Sequence, residues 1–184
     1  MVQGSATTRF FVDGSHYDRL RSVFEGSFDL AKLAVIANGD QPVIEAFYYR
    51  DLRNREEADR QQGLLKWLCH NGFAVKGREH SDNEPRERYG TNLVELAVDA
   101  QASMQEGEHC IILASDAKLI PLFAALRERG SKVTLVSTLR APEAIAPLPV
   151  LIKEADTFVD LARIIDQLLL ASQERARFSP KDRA

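Results

Sequence analysis

The sequence has few cysteines and no long apolar run, and these two shortages exclude several classes of protein. Its 184 residues include two Cys, too few for a disulfide scaffold, and two Cys alone cannot make a zinc site. No apolar run approaches the roughly 20 residues that cross a bilayer, and residues 1–8 lack the apolar stretch of a signal peptide. We therefore expect a cytoplasmic, reducing location, no membrane contact, and buried thiols at Cys69 and Cys110.

Signature motifs of several enzyme classes are also missing. Gly14 stands alone after an apolar run, so the chain lacks the Gly-rich phosphate cradle of nucleotide-binding proteins. No Ser lies in a nucleophile elbow, and the four His have no spacing typical of a metal pair. The net charge of −3 gives no overall basic field that would attract nucleic acid, although a local basic patch remains compatible with it.

The composition is that of an ordinary globular protein, with 45% apolar and 28% charged residues. The length suits one domain with a sizeable core. Apolar strand-like runs alternate with amphipathic helical segments, a pattern that favours a mostly parallel sheet with helices on both faces. We expect a single domain over residues 9–171, a disordered N-terminus over 1–8 and a charged C-terminal tail over 172–184.

The periodicity of apolar residues predicts where these elements lie. Strands are predicted at 10–12, 42–49, 73–75, 110–114 and 132–136, with a further short strand at 150–153. Helices are predicted at 18–24, 28–37, 56–70, 91–104, 118–129 and 156–171. Residues 76–88 form the longest predicted loop, for which two roles are open: a solvated connector, or a lid beside a site.

Two of the predicted strands end at an aspartate. Asp13 follows the first strand, and Asp116 comes two residues after the fourth. The carboxyl ends of parallel strands meet at one edge of a sheet, where sites are usually built. Magnesium is held by one or two such carboxylates together with water and substrate phosphate, and it can activate water for phosphoryl displacement. The competing interpretation is that each Asp merely caps the following helix.

Three stretches of the sequence resemble the NYN domain in its LabA-like branch, a relative of PIN and FLAP nucleases. They are FFVDGSH at 10–16, YGTNLVELAVD at 89–99 and ILASDAKLIPL at 112–122, with further similarity at 130–134 and 155–161. The resemblance covers about 9–165, and both the order and the spacing of the motifs match. It implies a PIN-like three-layer α/β/α sandwich around a mostly parallel sheet, and a magnesium-dependent ribonuclease.

The residues that match the family pattern define an implied site. Asp13, Asp99 and Asp116 are the implied catalytic residues and the implied ligands of Mg²⁺ or Mn²⁺. The implied substrate-binding residues, which would contact RNA or the water on the metal, are Ser15, His16, Asn92, Ser115 and Lys118.

The sequence departs from the family pattern at three of its polar positions. His16 stands where the family has Asn, Asn92 replaces an acid, and Lys118 replaces the second acid of the third motif. An ammonium about 4 Å from a carboxylate is worth roughly 4 kcal/mol at an effective dielectric constant of about 20. If Lys118 lies in the acidic cleft, it takes the place of the cation and weakens metal binding; if it points to solvent, the three aspartates still hold one magnesium.

Other charged residues leave alternatives of the same kind. Glu95 and Asp99 are spaced i, i+4 on one predicted helix, so that Glu95 either replaces the missing acid or is a solvated charge. A second group lies after the second strand and either contacts phosphates or forms a solvated helix start. This group consists of Arg50, Arg53, Arg55 and Arg60.

Three functional hypotheses follow. The first is a metal-dependent RNA nuclease of the NYN type. The second is a catalytically degenerate member that binds RNA or a protein partner without cleavage, with Lys118 paired to Asp13 and Asp116. The third is a regulatory scaffold that binds no nucleic acid and forms a homodimer through a sheet edge or an exposed helix.

Overall fold

Six strands form one parallel sheet at the centre of the structure, a computed structural model that describes residues 7–81 and 92–170. The strands are β1 (Thr8–Asp13), β2 (Glu45–Tyr49), β3 (Phe73–Lys76), β4 (His109–Leu113), β5 (Lys132–Ser137) and β6 (Thr157–Asp160). Their order across the sheet is β3-β2-β1-β4-β5-β6, and all neighbouring pairs are parallel. The five main predicted strands are thus confirmed, and so is the α/β class.

Helices connect the strands within the described ranges. They are α1 (Gly14–Val23), α2 (Leu30–Ala37), α3 (Arg55–His70), α4 (Leu93–Ser103), α5 (Ile120–Glu128), α6 (Pro149–Glu154) and α7 (Ile165–Leu168). Two 3₁₀ turns, Ala117–Leu119 and Leu161–Arg163, precede α5 and α7. None of these described helices is long and apolar enough to cross a membrane.

The helices lie on both faces of the sheet and produce three layers. On one face α1, α2, α3 and α7 pack against Phe10 and Val12 of β1. On the other face α4, α5 and α6 pack against Phe11 of β1 and Ile112 of β4. Because β1 and β4 are buried on both faces, they read in the sequence as continuous apolar runs rather than as alternating ones. The predicted α/β/α sandwich is confirmed.

The predictions for residues 150–171 are wrong in two places. The predicted strand at 150–153 is part of α6, which begins at Pro149, a residue favoured in the first turn of a helix. The predicted helix at 156–171 contains β6, the 3₁₀ turn and the short α7 instead. Its apolar residues match a helical spacing, but a short apolar run does not distinguish a helix segment from a buried strand.

Smaller differences concern the cysteines and the ends of the chain. Cys110 is buried as predicted, whereas Cys69 is exposed because it lies on the outer side of α3. Residues 82–88 of the predicted loop and Tyr89, Gly90 and Thr91 of the middle motif lie outside the described residues. Residues 1–6 and 171–184 lie outside them as well, so the disordered N-terminus and the charged tail stay predictions.

The topology places the ends of β1 and β4 side by side at the centre of the sheet. Val12 of β1 pairs with Leu113 of β4. From β1 the chain continues outward to β2 and β3, and from β4 it continues in the opposite direction to β5 and β6. In open α/β sheets, ligands bind outside the carboxyl ends of the strands at such a switch point. Asp13 ends β1 and Asp116 lies three residues after β4, the two strands that flank it.

Candidate functional site at the carboxyl edge of the sheet

Asp13 is the most deeply buried acid at the switch point, with no exposed surface. It caps α1: its Oδ1 accepts a hydrogen bond from the backbone N–H of Ser15 at 3.0 Å. Its second oxygen, Oδ2, is buried and has no hydrogen-bond partner in the described structure. Helix capping therefore satisfies one oxygen of this carboxylate. The other oxygen still requires a cation or a hydrogen-bond donor.

The electrostatics of Asp13 reflect this burial. Desolvation raises the pKa of Asp13 to about 6. The Arg19 guanidinium and the backbone N–H groups of His16 and Ser15 oppose that rise, whereas the nearby Asp116 carboxylate adds to it. The contribution of Asp116 agrees with its position after β4, the strand that pairs with β1.

Gly14 leaves room for the Tyr48 ring beside the start of α1. A Cβ atom at this position would lie 2.6 Å from ring atoms of Tyr48 on β2. The Gly14 carbonyl accepts hydrogen bonds from the Tyr48 hydroxyl at 3.4 Å and from the Arg50 guanidinium at 3.3 Å. The Asp-Gly pair in the sequence thus reflects a close approach between the start of α1 and the end of β2.

His16 connects the ends of three strands. Its Nε2 is 2.9 Å from the Ser137 hydroxyl at the end of β5, and its Nδ1 is 3.2 Å from the Ser115 hydroxyl after β4. Burial lowers the pKa of His16 to about 3, so the imidazole is neutral at pH 7. One ring nitrogen then donates and the other accepts, and the hydroxyls complement both roles. His16 therefore fixes Ser115, two residues away from β4, beside the start of α1.

Asp99 faces the strand ends, but a lysine already neutralises it. Its Oδ2 accepts hydrogen bonds from Lys76 Nζ at 2.6 Å and from the Tyr49 hydroxyl at 2.8 Å. Tyr49 ends β2 and Lys76 ends β3, so this carboxylate joins α4 to the ends of two strands. Burial and the bond to Asp99 raise the pKa of Tyr49, so its hydroxyl remains a donor.

The two replaced acids have different surroundings. The Asn92 side-chain amide donates a hydrogen bond to the Glu95 carboxylate one turn along α4. Glu95 also contributes to the raised pKa of Tyr49, the last residue of β2. Asn92 and Glu95 therefore meet each other near the site.

Asp116 and Lys118 meet through the backbone. Asp116 Oδ1 accepts a hydrogen bond from the Lys118 N–H at 2.9 Å and so caps the 3₁₀ turn. The Lys118 side chain is exposed and lines a groove between α4 and α5, beside Val98 and Pro121. Within the described ranges no ion pair joins Lys118 to an acid, so the solvent-facing alternative fits its position.

The cation beside Asp13 is Arg19, which lies on α1 two turns after the strand. Its Nη2 lies 4.0 Å from Asp13 Oδ2, and its side chain is 40% exposed. No sequence motif singles out Arg19, Lys76 or Ser137. Two of them could have been found from their position at a strand end, because Lys76 ends β3 and Ser137 ends β5.

The arginines after β2 all form ion pairs with carboxylates. This is typical of charges that stabilise a helix start or lie in solvent. Arg50 is almost buried and contacts Asp18 at 2.7 Å and Glu57 at 2.8 Å. The other three pairs lie on α3 or at its start: Arg53 with Glu57, Arg55 with Asp59, and Arg60 with Glu56. This arrangement favours the helix-start alternative over phosphate contacts for the group.

The described residues contain no cluster of three His, Cys, Asp or Glu side chains that could hold a metal ion. Asp13, Asp99 and Asp116 therefore do not form such a cluster, and Asp99 is paired with Lys76. Two carboxylates nevertheless fit a magnesium ion, which keeps several waters and needs only one or two protein carboxylates. The unpartnered Oδ2 of Asp13 is the atom that supports this fit.

Comparisons with known proteins agree on the family and the fold. The family model of the NYN domain matches residues 8–166. The chain is similar to a solved structure described as a protein of unknown function, VPA0982, from Vibrio parahaemolyticus RIMD 2210633. That likeness has a TM-score of 0.74 at 22% identity and covers 92% of this chain and 99% of the other, which supports the fold alone. No curated protein matches the chain.

Proposed function

From the premise that the chain belongs to the NYN domain family, we propose that it is a metal-dependent RNA nuclease. The NYN domain is part of the PIN-like nuclease superfamily, and this supports a phosphodiester substrate. The reaction would be hydrolysis of an RNA phosphodiester at the carboxyl edge of the sheet, between β1 and β4.

One observation carries this proposal: Asp13 Oδ2 is buried at the switch point without a hydrogen-bond partner. An ionised carboxylate oxygen in such a place costs several kcal/mol unless a cation or a donor meets it. A divalent cation would satisfy it, and the adjacent strand end supplies a second carboxylate, Asp116. The buried acid therefore has the chemistry of a metal ligand rather than that of a cap alone.

Each residue has a defined task in this proposal. Asp13 and Asp116 would hold Mg²⁺ or Mn²⁺, which supplies charge stabilisation at the phosphoryl group and an activated water. His16 fixes the Ser115 hydroxyl, which binds a phosphate oxygen or a metal-bound water. Ser15 donates its backbone N–H to Asp13 and holds the carboxylate in place. Asp99 would join the metal ligands only if Lys76 released it.

The test pairs two aspartates that cap the same kind of turn. Asp116 caps the 3₁₀ turn after β4, and Asp160 caps the 3₁₀ turn after the edge strand β6 with a 3.1 Å bond to the Ala162 N–H. Asn keeps the cap at both positions. We expect Asp116→Asn to abolish both RNA cleavage and the Mn²⁺-induced rise in Tm, while Asp160→Asn retains both. Cleavage that survives in Asp116→Asn would indicate a contaminating nuclease and contradict the proposal.

A second candidate is an NYN protein that binds RNA without cleaving it. Two observations favour it: the Lys76 ammonium neutralises Asp99, and an amide stands at position 92 in place of an acid. On this alternative the chain binds a single-stranded RNA in EDTA, the complex weakens at high salt, and Mn²⁺ changes neither Tm nor affinity. Any Mn²⁺-dependent cleavage that requires Asp116 excludes it.

A further inference from the structure

Arg19 lies close to Asp13 without forming a hydrogen bond to it. The 4.0 Å between Arg19 Nη2 and Asp13 Oδ2 is longer than a hydrogen bond, and Arg19 Nε is buried with no partner in the described structure. Asp13 is also the single carboxylate in ion-pair range of Arg19 within residues 7–81 and 92–170. The Arg19 guanidinium thus lies near Asp13 but donates no hydrogen bond to it.

Its position on α1 lets the side chain reach both the acid and the solvent. Helical side chains tilt toward the N-terminus of their helix, so Arg19 points back to the turn that Asp13 caps. The side chain is 40% exposed, whereas Asp13 is fully buried. The Arg19 guanidinium can therefore reach either the unpartnered carboxylate oxygen of Asp13 or the open edge of the sheet.

We infer that Arg19 is a mobile cation that alternates between Asp13 and a phosphate of the RNA backbone, and so couples RNA binding to metal binding. The inference rests on the proposed function and names a residue that neither the family motif nor the sequence singled out. Without RNA, Arg19 balances Asp13 and competes with the metal. With RNA, a phosphate takes the guanidinium and leaves Asp13 Oδ2 for the divalent cation.

The chemistry of the two partners favours this exchange. A guanidinium binds a phosphate through two parallel hydrogen bonds, which its present distance from Asp13 does not provide. A divalent cation brings a larger charge to Asp13 than Arg19 does, so each partner gains from the exchange. Because binding free energies are reciprocal, RNA then tightens metal binding and the metal tightens RNA binding by the same factor.

The experiment measures two affinities on the full-length chain at about pH 8. Mn²⁺ binding is followed by calorimetry in the absence of RNA, and binding of a 2′-O-methyl oligouridine, which resists cleavage, is followed by anisotropy in EDTA. We expect Arg19→Met to bind Mn²⁺ at least about fivefold more tightly than the wild type, at the low end of usual coupling factors, and to bind the oligonucleotide more weakly. Arg19→Lys keeps the charge and should stay closer to the wild type in both.

Arg21→Met is the matched control for the loss of one positive charge from the same helix. Arg21 pairs with Asp18 at 3.3 Å, so its removal should leave Mn²⁺ affinity unchanged. If Arg19→Met fails to fold, Arg19→Gln takes its place. Equal Mn²⁺ affinities in Arg19→Met and Arg21→Met, with binding still lost in Asp13→Asn, would overturn the inference and leave the proposed function standing. Absence of Asp13-dependent Mn²⁺ binding in every variant would overturn both.

Discussion

Asp13 serves as a helix cap and holds a buried carboxylate, and the second of these roles makes the folded protein sensitive to pH. Its pKa is about 6 in the folded chain against an ordinary value of 3.8. The folded state therefore binds this proton more tightly than the unfolded state, and stability falls as pH rises from about 3.8 to about 6. A metal ion at Oδ2 would relieve the cost, which links folding to the proposed ligand.

Replacing Asp13 by Asn removes the cost of ionisation and keeps the cap. We expect the stability of Asp13→Asn relative to wild type to increase by about 2–3 kcal/mol between about pH 4 and about pH 8 in EDTA, since one pKa unit corresponds to about 1.4 kcal/mol. Urea unfolding at the two pH values measures this difference. Asp160→Asn, a partly exposed cap, is the control, and a stability difference that stays constant for Asp13→Asn would contradict the prediction.

His16 has the opposite pH dependence. Its pKa is about 3 in the folded state against 6.5 in the unfolded state, so stability is lost as pH falls below 6.5. The stability advantage of wild type over His16→Asn should therefore shrink by about 2 kcal/mol between about pH 7 and about pH 5. Urea unfolding checks it. His109, whose pKa burial lowers to about 4, should give a change of the same sign in His109→Asn. An advantage over His16→Asn that is equal at both pH values would contradict the assignment.

At the scale of single residues, the rule that sites lie at the carboxyl ends of parallel strands identified the acids. It did not identify the cations that pair with them. Asp13 and Asp116 follow apolar runs, and any parallel sheet that makes β1 and β4 neighbours brings them close. Lys76 ends β3, so its place at this edge could be predicted, but how far its side chain and that of Arg19 reach is not encoded by any local pattern in the sequence. Lys118 illustrates the same limit, because its place in the motif does not determine whether its side chain enters the cleft.

At the scale of elements, the turn after β3 depends on one glycine. Gly77 has a φ of 131°, and a Cβ atom there would lie 1.9 Å from the Arg50 carbonyl oxygen after β2. We expect Gly77→Ala to destabilise the protein by more than about 2 kcal/mol, because both the backbone and its neighbour must move. Gly39→Ala, at a φ of 64° with nothing within 4 Å, carries the backbone strain alone and should cost about 1 kcal/mol. Thermal unfolding compares the two, and equal losses would contradict the steric argument.

The contact between β3 and α4 yields a second prediction at this scale. Lys76 and Asp99 are both partly exposed, at 34% and 24%, so their ion pair stabilises the fold weakly. Lys76→Met should leave Tm within a few degrees and strengthen Mn²⁺ binding, because it frees an acid at the carboxyl edge. Lys66→Met, on the exposed side of α3, is the control for charge. Unchanged Mn²⁺ affinity in Lys76→Met would show that Asp99 lies outside the metal site.

The elements themselves were predictable where their apolar period was long. The 16 residues of α3 and the buried runs of β1 and β4 match the predicted positions closely. The region after β5 was not predictable in this way, because β6 and α7 each span four residues. Apolar runs of that length fit the period of a helix as well as that of a strand. Only the pairing of β6 with β5 decides between the two.

At the scale of the whole molecule, a net charge of −3 would limit the electrostatic attraction of RNA in the proposed function. Arg19, Lys118 and Arg140 are exposed or partly exposed cations near the carboxyl edge. Three phosphate contacts to single-stranded RNA predict that log K falls with log salt with a slope of about −2. Lys118→Ala should make the slope shallower by about 0.7. Anisotropy titrations over a range of salt measure both values. An unchanged slope in Lys118→Ala would exclude a contact between this lysine and RNA.

The arrangement of the whole sheet was the most predictable property of the chain. Alternating strands and helices require a parallel sheet with covered faces, and the family match over residues 8–166 supports the same fold. The homodimer, the cytoplasmic location and the RNA target depend on surfaces and partners rather than on the core. They stay predictions for that reason.

The central position of β1 also has a consequence for synthesis of the chain on the ribosome. Thr8 pairs with His109, so one edge of β1 has no partner until β4 is synthesised, about a hundred residues later. During that interval β1, β2 and β3 present an unpaired apolar margin of the kind that recruits other nascent chains. Because these pairings are parallel and long-range, the sheet is expected to form slowly.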